Sequence, residues 1–277
     1  MILYKYLSPE RIDVLNNLEI RFTQVEALND PFEGNPNFKI DNKNVNNVGA
    51  KVFVVNDIFD PTIRTRFREH LDKSIKHDPN FSLNAIILSG PDIDNSFMME
   101  GFRASLAAHI PNSMGVLSLT ETPDNNLMWS HYGFNNQGYA IGFNSNHPFF
   151  SPETINSGNE RSLNKIFYSQ SRPSGYPESL SFKELFLTKS IHWEYENEWR
   201  YAKFLKDCVH ILDSTPFSIY LYPYPAELIS EVILGCNASQ SFKKDVINIL
   251  SNNNIYSHVK LKQVKLSNTF DLEILEI

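Results

Sequence analysis

From residue 191 to residue 201 the chain reads Ile191-His192-Trp193-Glu194-Tyr195-Glu196-Asn197-Glu198-Trp199-Arg200-Tyr201, with charged and aromatic positions alternating almost without a break. A β-strand sends successive side chains to opposite faces. The pattern therefore predicts one strand face of Ile191, Trp193, Tyr195, Trp199 and Tyr201, and an opposite face of His192, Glu194, Glu196, Glu198 and Arg200. Three carboxylates in line on one face repel each other, an arrangement that a strand shaped by stability alone would avoid. This makes the stretch the first candidate for function.

Alternation at 2–7 predicts a short strand, and Ser8-Pro9 supplies a cap and a first-turn proline for a helix over 9–17. Residues 18–24 alternate again, with Leu18, Ile20 and Phe22 on one side and Glu19, Arg21 and Thr23 on the other. Asn29-Asp30-Pro31-Phe32-Glu33-Gly34 reads as a turn. The pattern changes over 35–111, where polar loops surround helical stretches at 61–77 and 92–110; we read this as a helical insertion or lid in a single domain of 1–277. A strand follows at 115–120, and then a helix at 127–132 with polar residues at its start and Gly133 at its stop. Strands at 139–143 and 165–168 and a helix at 181–189 lead back to the opening stretch. Beyond it, strands are expected at 217–222, 231–234, 259–266 and 271–277, with an amphipathic helix at 242–250. Strands and helices mix without regular β-α alternation, so the expected class is α+β with a mixed, largely antiparallel central sheet.

Composition narrows the function classes. No apolar run reaches the length of a membrane span, and the first residues, interrupted by Lys5 and stopped at Ser8-Pro9, do not form a secretory segment; a cytoplasmic protein with no membrane partner is expected. A net charge of -7 argues against a general nucleic-acid binder, although a local basic cleft stays compatible with it. Cys208 and Cys236 fit no metal spacing and are expected to be buried free thiols, and no metal is expected. Walker, dinucleotide-glycine, His-Glu-x-x-His and nucleophile-elbow patterns are all missing, which removes the common kinase, Rossmann, zincin and α/β-hydrolase readings.

Glu196 and Glu198 are close enough for their titrations to couple. Such a pair can stabilise a cationic transition state with one group while the other orients or deprotonates a nucleophile, which is the chemistry of glycosidic cleavage. The plain alternative is a solvated strand face neutralised by Arg200, and Glu194 reads as a solvated neighbour. In Trp129-Ser130-His131-Tyr132, His131 reads either as a hydrogen-bonded structural residue or, with Trp129 and Tyr132, as part of an aromatic slot for a flat ring. Lys5 and Arg21, cations on the N-terminal strands, could each meet a pyrophosphate.

Taken together, Leu3-Tyr4-Lys5-Tyr6, Arg21-Phe22-Thr23, Asn29-Asp30-Pro31-Phe32-Glu33, Met128-Trp129-Ser130-His131-Tyr132-Gly133 and Glu196-Asn197-Glu198-Trp199-Arg200 resemble a widespread bacterial family of unknown function. The layout is also similar to the ADP-ribosyltransferase superfamily. That resemblance implies a middle strand at Ser118-Leu119-Thr120, a catalytic Glu198 with Glu196 as its partner, and NAD as substrate. It further implies Arg21 or Lys5 at the pyrophosphate, Trp129 or Tyr132 against the nicotinamide, an acceptor macromolecule, and a toxin or phage-defence setting. Two alternatives remain open: a binding module in a defence system that holds a nucleotide or partner without turnover, and a glycosidase or nucleosidase using the same acids.

Overall fold

The computed structural model of the protein describes residues 1–34, 36–38, 114–151, 162–175 and 180–277. The chain divides into two compact units, one of Met1–Asn37, Ser113–Ser174 and Ser179–Ile277, the other of Phe38–Asn112 and Gly175–Glu178. The expected insertion at 35–111, with its two helices, lies outside the described residues apart from 36–38.

The frame of the first unit is an 11-stranded open sheet, antiparallel but for one pair, with few helices, so the class is α+β. In chain order the strands and helices that matter are β1 (Ile2–Leu7), α1 (Asp13–Asn17), β2 (Glu19–Gln24), β3 (Met114–Thr120), α2 (Asn126–His131) and β4 (Tyr139–Asn144). They continue with β5 (Asn164–Lys165), β6 (Phe167–Ser169), α3 (Phe182–Phe186), β7 (Thr188–Ser190) and β8 (Glu198–Phe204). The last are β9 (His210–Leu212), β10 (Ile219–Pro223), β11 (Ile229–Leu234), α4 (Gln240–Asn252), β12 (Lys260–Leu266) and β13 (Leu272–Glu276). The main path runs β9-β10-β2-β3-β1-β4-β11-β12-β13, and β8 joins it along β3.

The larger apolar cluster takes alternate residues of the central strands, Leu3 and Leu7 from β1, Ile20 and Phe22 from β2, Leu117 and Leu119 from β3 and Tyr201 from β8, together with Phe242 and Val246 of α4. A smaller cluster holds Tyr4 and Tyr6, the opposite residues of β1, against Met128 and Trp129 of α2. The period-two reading of the N-terminal strands thus gives both core faces. Gly138 sits where the chain enters β4, and a Cβ built there would lie 2.1 Å from the Leu7 carbonyl oxygen. A backbone atom cannot give way as a flexible side chain can, so Gly138→Ala is expected to cost about 1–3 kcal/mol in a denaturant melt.

Three local expectations are corrected. The stretch 191–201 is not one strand: Ile191–Glu196 is a 3-10 helix, Asn197 takes a left-handed conformation at φ 42°, and the strand begins at Glu198. Ser190 caps the 3-10 turn by accepting from the His192 amide at 3.4 Å, and Asn is among the residues that tolerate the left-handed region. His192 and Glu194 therefore do not share a strand face with Glu198, and the line of three carboxylates is never formed. The expected strand at 165–168 is two short ones broken at Ile166, whose amide donates to the Glu198 carbonyl at 2.9 Å. The helix expected over 181–189 ends at Phe186, and Thr188–Ser190 instead pairs in parallel with Phe167–Ser169.

Candidate functional site

The helix-to-strand switch at Asn197 brings Glu196, the last residue of the 3-10 turn, beside Glu198, the first of β8. Between them lies Lys189 of β7. Its Nζ donates to Glu196 Oε2 at 2.5 Å and to Glu198 Oε2 at 3.0 Å, and lies 3.1 Å from Glu33 Oε1. Arg200, two residues along β8 on the same face as Glu198, closes the other side. Its Nε donates to Glu198 Oε1 at 2.7 Å, one terminal nitrogen reaches Glu33 Oε2 at 2.7 Å, and the other reaches the Phe186 carbonyl at 2.8 Å. Glu33, Lys189, Glu196, Glu198 and Arg200 are all buried, each under a tenth exposed. Three carboxylates therefore share two cations out of water.

Glu198 is the more tightly held member. Besides Arg200 and Lys189 it accepts from the Ser118 side chain, and its amide donates to the Tyr168 hydroxyl at 2.8 Å. Burial would raise its pKa, but the guanidinium and the ammonium pull it down to about 2. For Glu196 burial wins: its carboxyl is pushed above the usual range against the pull of Lys189 and of the Tyr132 hydroxyl. Burial would lower Lys189, yet the surrounding carboxylates push it up, and Glu198 and Glu33 do the same for Arg200. The two neighbouring acids are thus shifted in opposite directions, Glu198 down and Glu196 up.

These directions set a pH dependence. Folding lowers the Glu198 pKa, so its contribution is fully present above its ordinary value of 4.5 and is lost as the pH falls towards 2. Glu196 has the opposite sign: its contribution is present below the ordinary value and is lost as the pH rises through its raised pKa. Thermal unfolding of the wild type and Glu198→Gln from about pH 7 down to 2 should show the two stability curves converging in acid.

Glu196 also meets a partly exposed side chain. Tyr132, partly exposed at the end of α2, donates to Glu196 Oε1 at 2.5 Å, and the exposed Asn29 donates to the Tyr132 hydroxyl at 2.8 Å. His131 is exposed and its Nδ1 lies 3.0 Å from the Tyr195 hydroxyl. The helix is fixed by Asn125, whose side-chain oxygen caps the amides of Leu127 and Met128 and whose nitrogen donates to the Tyr195 carbonyl at 3.1 Å. Asn125→Ala should cost about 1 kcal/mol in a thermal melt through loss of the cap.

The expected residues divide into groups. Glu196, Glu198, Ser118 and Tyr132 come together. Thr120 is buried and holds the site indirectly, its hydroxyl bonded to the Glu196 carbonyl. Trp129 does not line a slot: it is fully buried, its indole nitrogen donates to the Pro123 carbonyl at 2.8 Å, and its ring packs edge-on against Tyr6. An apolar helix face in contact with β1 claims it for the core. Lys5 makes no ion pair with the acids but donates to the Ser118 carbonyl at 3.1 Å and feels the charge of Glu198 and Glu196, while Arg21, on β2, has no ion pair with any described carboxylate.

Two central members were not singled out by pattern. Glu33 is hidden in what reads as an ordinary Asn-Asp-Pro turn, and Lys189 in a predicted helix end. Neither has a local signal, because what makes each notable is a distant partner. The two cysteines are free and half-buried, and among the described residues no group of His, Cys, Asp and Glu could hold a metal ion. No helix of the described residues is long and apolar enough to cross a membrane.

The segment from α2 to the middle of β8 carries Tyr132, Lys189, Glu196, Glu198 and Arg200. Residues 128–201 match the model of a family described as a protein of unknown function, DUF2971. The DUF2971 match thus takes in four of the five members of the ionic cluster and leaves out Glu33, Lys5, Arg21 and Ser118. The comparison with curated proteins gives no match, and neither does the comparison with solved structures.

Proposed function

We propose that the chain is an ADP-ribosyltransferase-like enzyme that breaks the glycosidic bond of NAD, with Glu196 and Glu198 as its working acids. One observation carries this reading: three buried carboxylates share two cations, and the acid left with the weaker claim on them, Glu196, is the one that meets the partly exposed Tyr132. A cluster made only for stability would balance its charges, because a surplus buried carboxylate is costly. Perturbed acids at such positions are what functional sites collect.

In this reading Glu198, its pKa held down to about 2, supplies negative charge to the oxocarbenium ion that forms as the ribose C1′–nitrogen bond breaks, and nicotinamide leaves with the bonding electron pair. The acceptor then attacks C1′ and gives its proton to Glu196, whose oxygen Tyr132 and Asn29 hold in place. The toxin or phage-defence setting belongs to this proposal through the resemblance alone, and the cytoplasmic location through the composition of the chain.

A glycosidase or nucleosidase using the same acids is another reading: the Lys189 contacts of 2.5 and 3.0 Å put the two carboxylate oxygens no more than 5.5 Å apart, a separation that retaining enzymes share, so substrate and not distance tells it from the proposal. A non-catalytic binding module is the second reading, favoured by the burial of all five charged groups. Free nicotinamide measured after incubation with NAD separates these readings. The proposal expects release above the protein-free rate, the binding module expects none, and a nucleosidase would act on substrates that lack the NAD diphosphate.

A further inference from the structure

A general base must meet the group whose proton it takes, and the Glu196 carboxylate is closed to anything outside the chain. The residue is only 3% exposed. Lys189 Nζ holds Oε2 at 2.5 Å, and the Tyr132 hydroxyl holds Oε1 at 2.5 Å. Its backbone carbonyl is taken as well, by the Thr120 hydroxyl. An acceptor that bonded this carboxylate directly would have to displace one of two hydrogen bonds strengthened by charge.

Tyr132 has the access that Glu196 lacks. It is partly exposed where α2 ends, and its phenol both donates and accepts. The proton is given to Glu196 Oε1, and on the other side the oxygen receives from Asn29 Nδ2 at 2.8 Å. Those are its two hydrogen bonds among the described residues, and Asn29 fixes the oxygen so that the proton lies towards the acid. The hydroxyl of Tyr195, one residue from Glu196 in sequence, is turned instead to His131 Nδ1 at 3.0 Å. Burial and the Glu196 carboxylate both raise the Tyr132 pKa. The phenol therefore keeps its proton at rest, and takes a second only while giving up the first.

We propose that Tyr132 is a catalytic proton relay, whose oxygen takes the proton of the acceptor while its own proton passes to Glu196 Oε1. The step rests on the reading of Glu196 as the base of NAD cleavage. As the acceptor oxygen forms its bond to C1′ of the oxocarbenium ion, its O–H bond breaks and the electron pair stays on that oxygen. The proton joins the Tyr132 oxygen, the Tyr132 O–H bond breaks in turn, and Glu196 ends as the neutral acid with tyrosine restored. Asn29 is a positioning residue, acting on the reaction through the Tyr132 oxygen.

The test offers the full chain NAD with two acceptors: water, which must lose a proton, and azide, which has none to lose. The hydrolysis product and the azide product are separated by chromatography, and their rates of formation are compared on folded protein. Tyr132→Phe should slow hydrolysis by about 100-fold or more, the scale of a lost proton-transfer group, and leave the azide product within about threefold of the wild type. Asn29→Ala leaves the Tyr132 bond to Glu196 in place and changes an exposed residue, so it keeps the test open if Tyr132→Phe folds poorly. It should slow hydrolysis by a smaller factor and again spare the azide product. Tyr195→Phe should change neither rate. An equal fall with both acceptors would make Tyr132 a support for the site and overturn the relay, as would an equal loss of hydrolysis in Tyr195→Phe. Hydrolysis that survives in Tyr132→Phe and is lost in Glu196→Gln sinks the relay and leaves the reading of the acids standing, whereas no product from folded wild type with either acceptor overturns both.

Discussion

Replacing Lys189 with methionine is expected to cost about 3–5 kcal/mol of folding stability, the range for removing one member of a buried ion cluster. The side chain is only 3% exposed, and its ammonium touches all three carboxylates within 3.1 Å. Methionine fills most of the same volume, so the loss isolates charge from packing. What remains is three buried carboxylates with Arg200 as their one ion-pair partner, and Glu196, which has no contact with Arg200, loses its only ion pair among the described residues. The ammonium also lies 5.0 Å from the Trp193 ring centre, a further contact that methionine does not keep as a cation. For a chain of this size the melting temperature should fall by on the order of 10 °C. A fall of a degree or two would mean that the cluster is solvated and not a buried, mutually dependent network.

Glu196→Gln should behave in the opposite way, with little loss of stability and a large loss of activity. After the change two carboxylates, Glu33 and Glu198, face two cations, Lys189 and Arg200, and the charges balance. Burial already works against the ionised form of Glu196, so a neutral amide of nearly equal shape removes a cost along with a contact. Activity is another matter. An amide cannot take the acceptor proton, and losing a positioned general base lowers rates by about 10²–10⁴. Stability and rate should therefore part company at Glu196 and fall together at Glu198, where the lost carboxylate also leaves Arg200 without its main partner.

How much of this was legible in the chain depends on the range of the interaction. Strands at Ile2–Leu7, Glu19–Gln24 and Met114–Thr120 announce themselves locally, because each places alternate residues in the larger apolar cluster. The stretch 191–201 alternates just as well and is mostly a 3-10 turn, since one capping serine and one left-handed asparagine outweigh the pattern. The pairing of Glu196 with Glu198 was readable because the two are close in sequence. That their pKa values move in opposite directions was not, since Lys189, Arg200, Glu33 and Tyr132 shape the shifts and come from separate elements. Trp129 shows the converse error: its aromatic neighbours in sequence suggested a slot, while its neighbours in space make it core.

The most direct test is nicotinamide release from NAD by the wild type and Glu196→Gln, measured on samples whose melting temperatures agree within a few degrees. The account predicts release by the wild type and a rate at least about 100-fold lower in the variant. An equal rate in the two proteins, or no release by folded wild type, would contradict it.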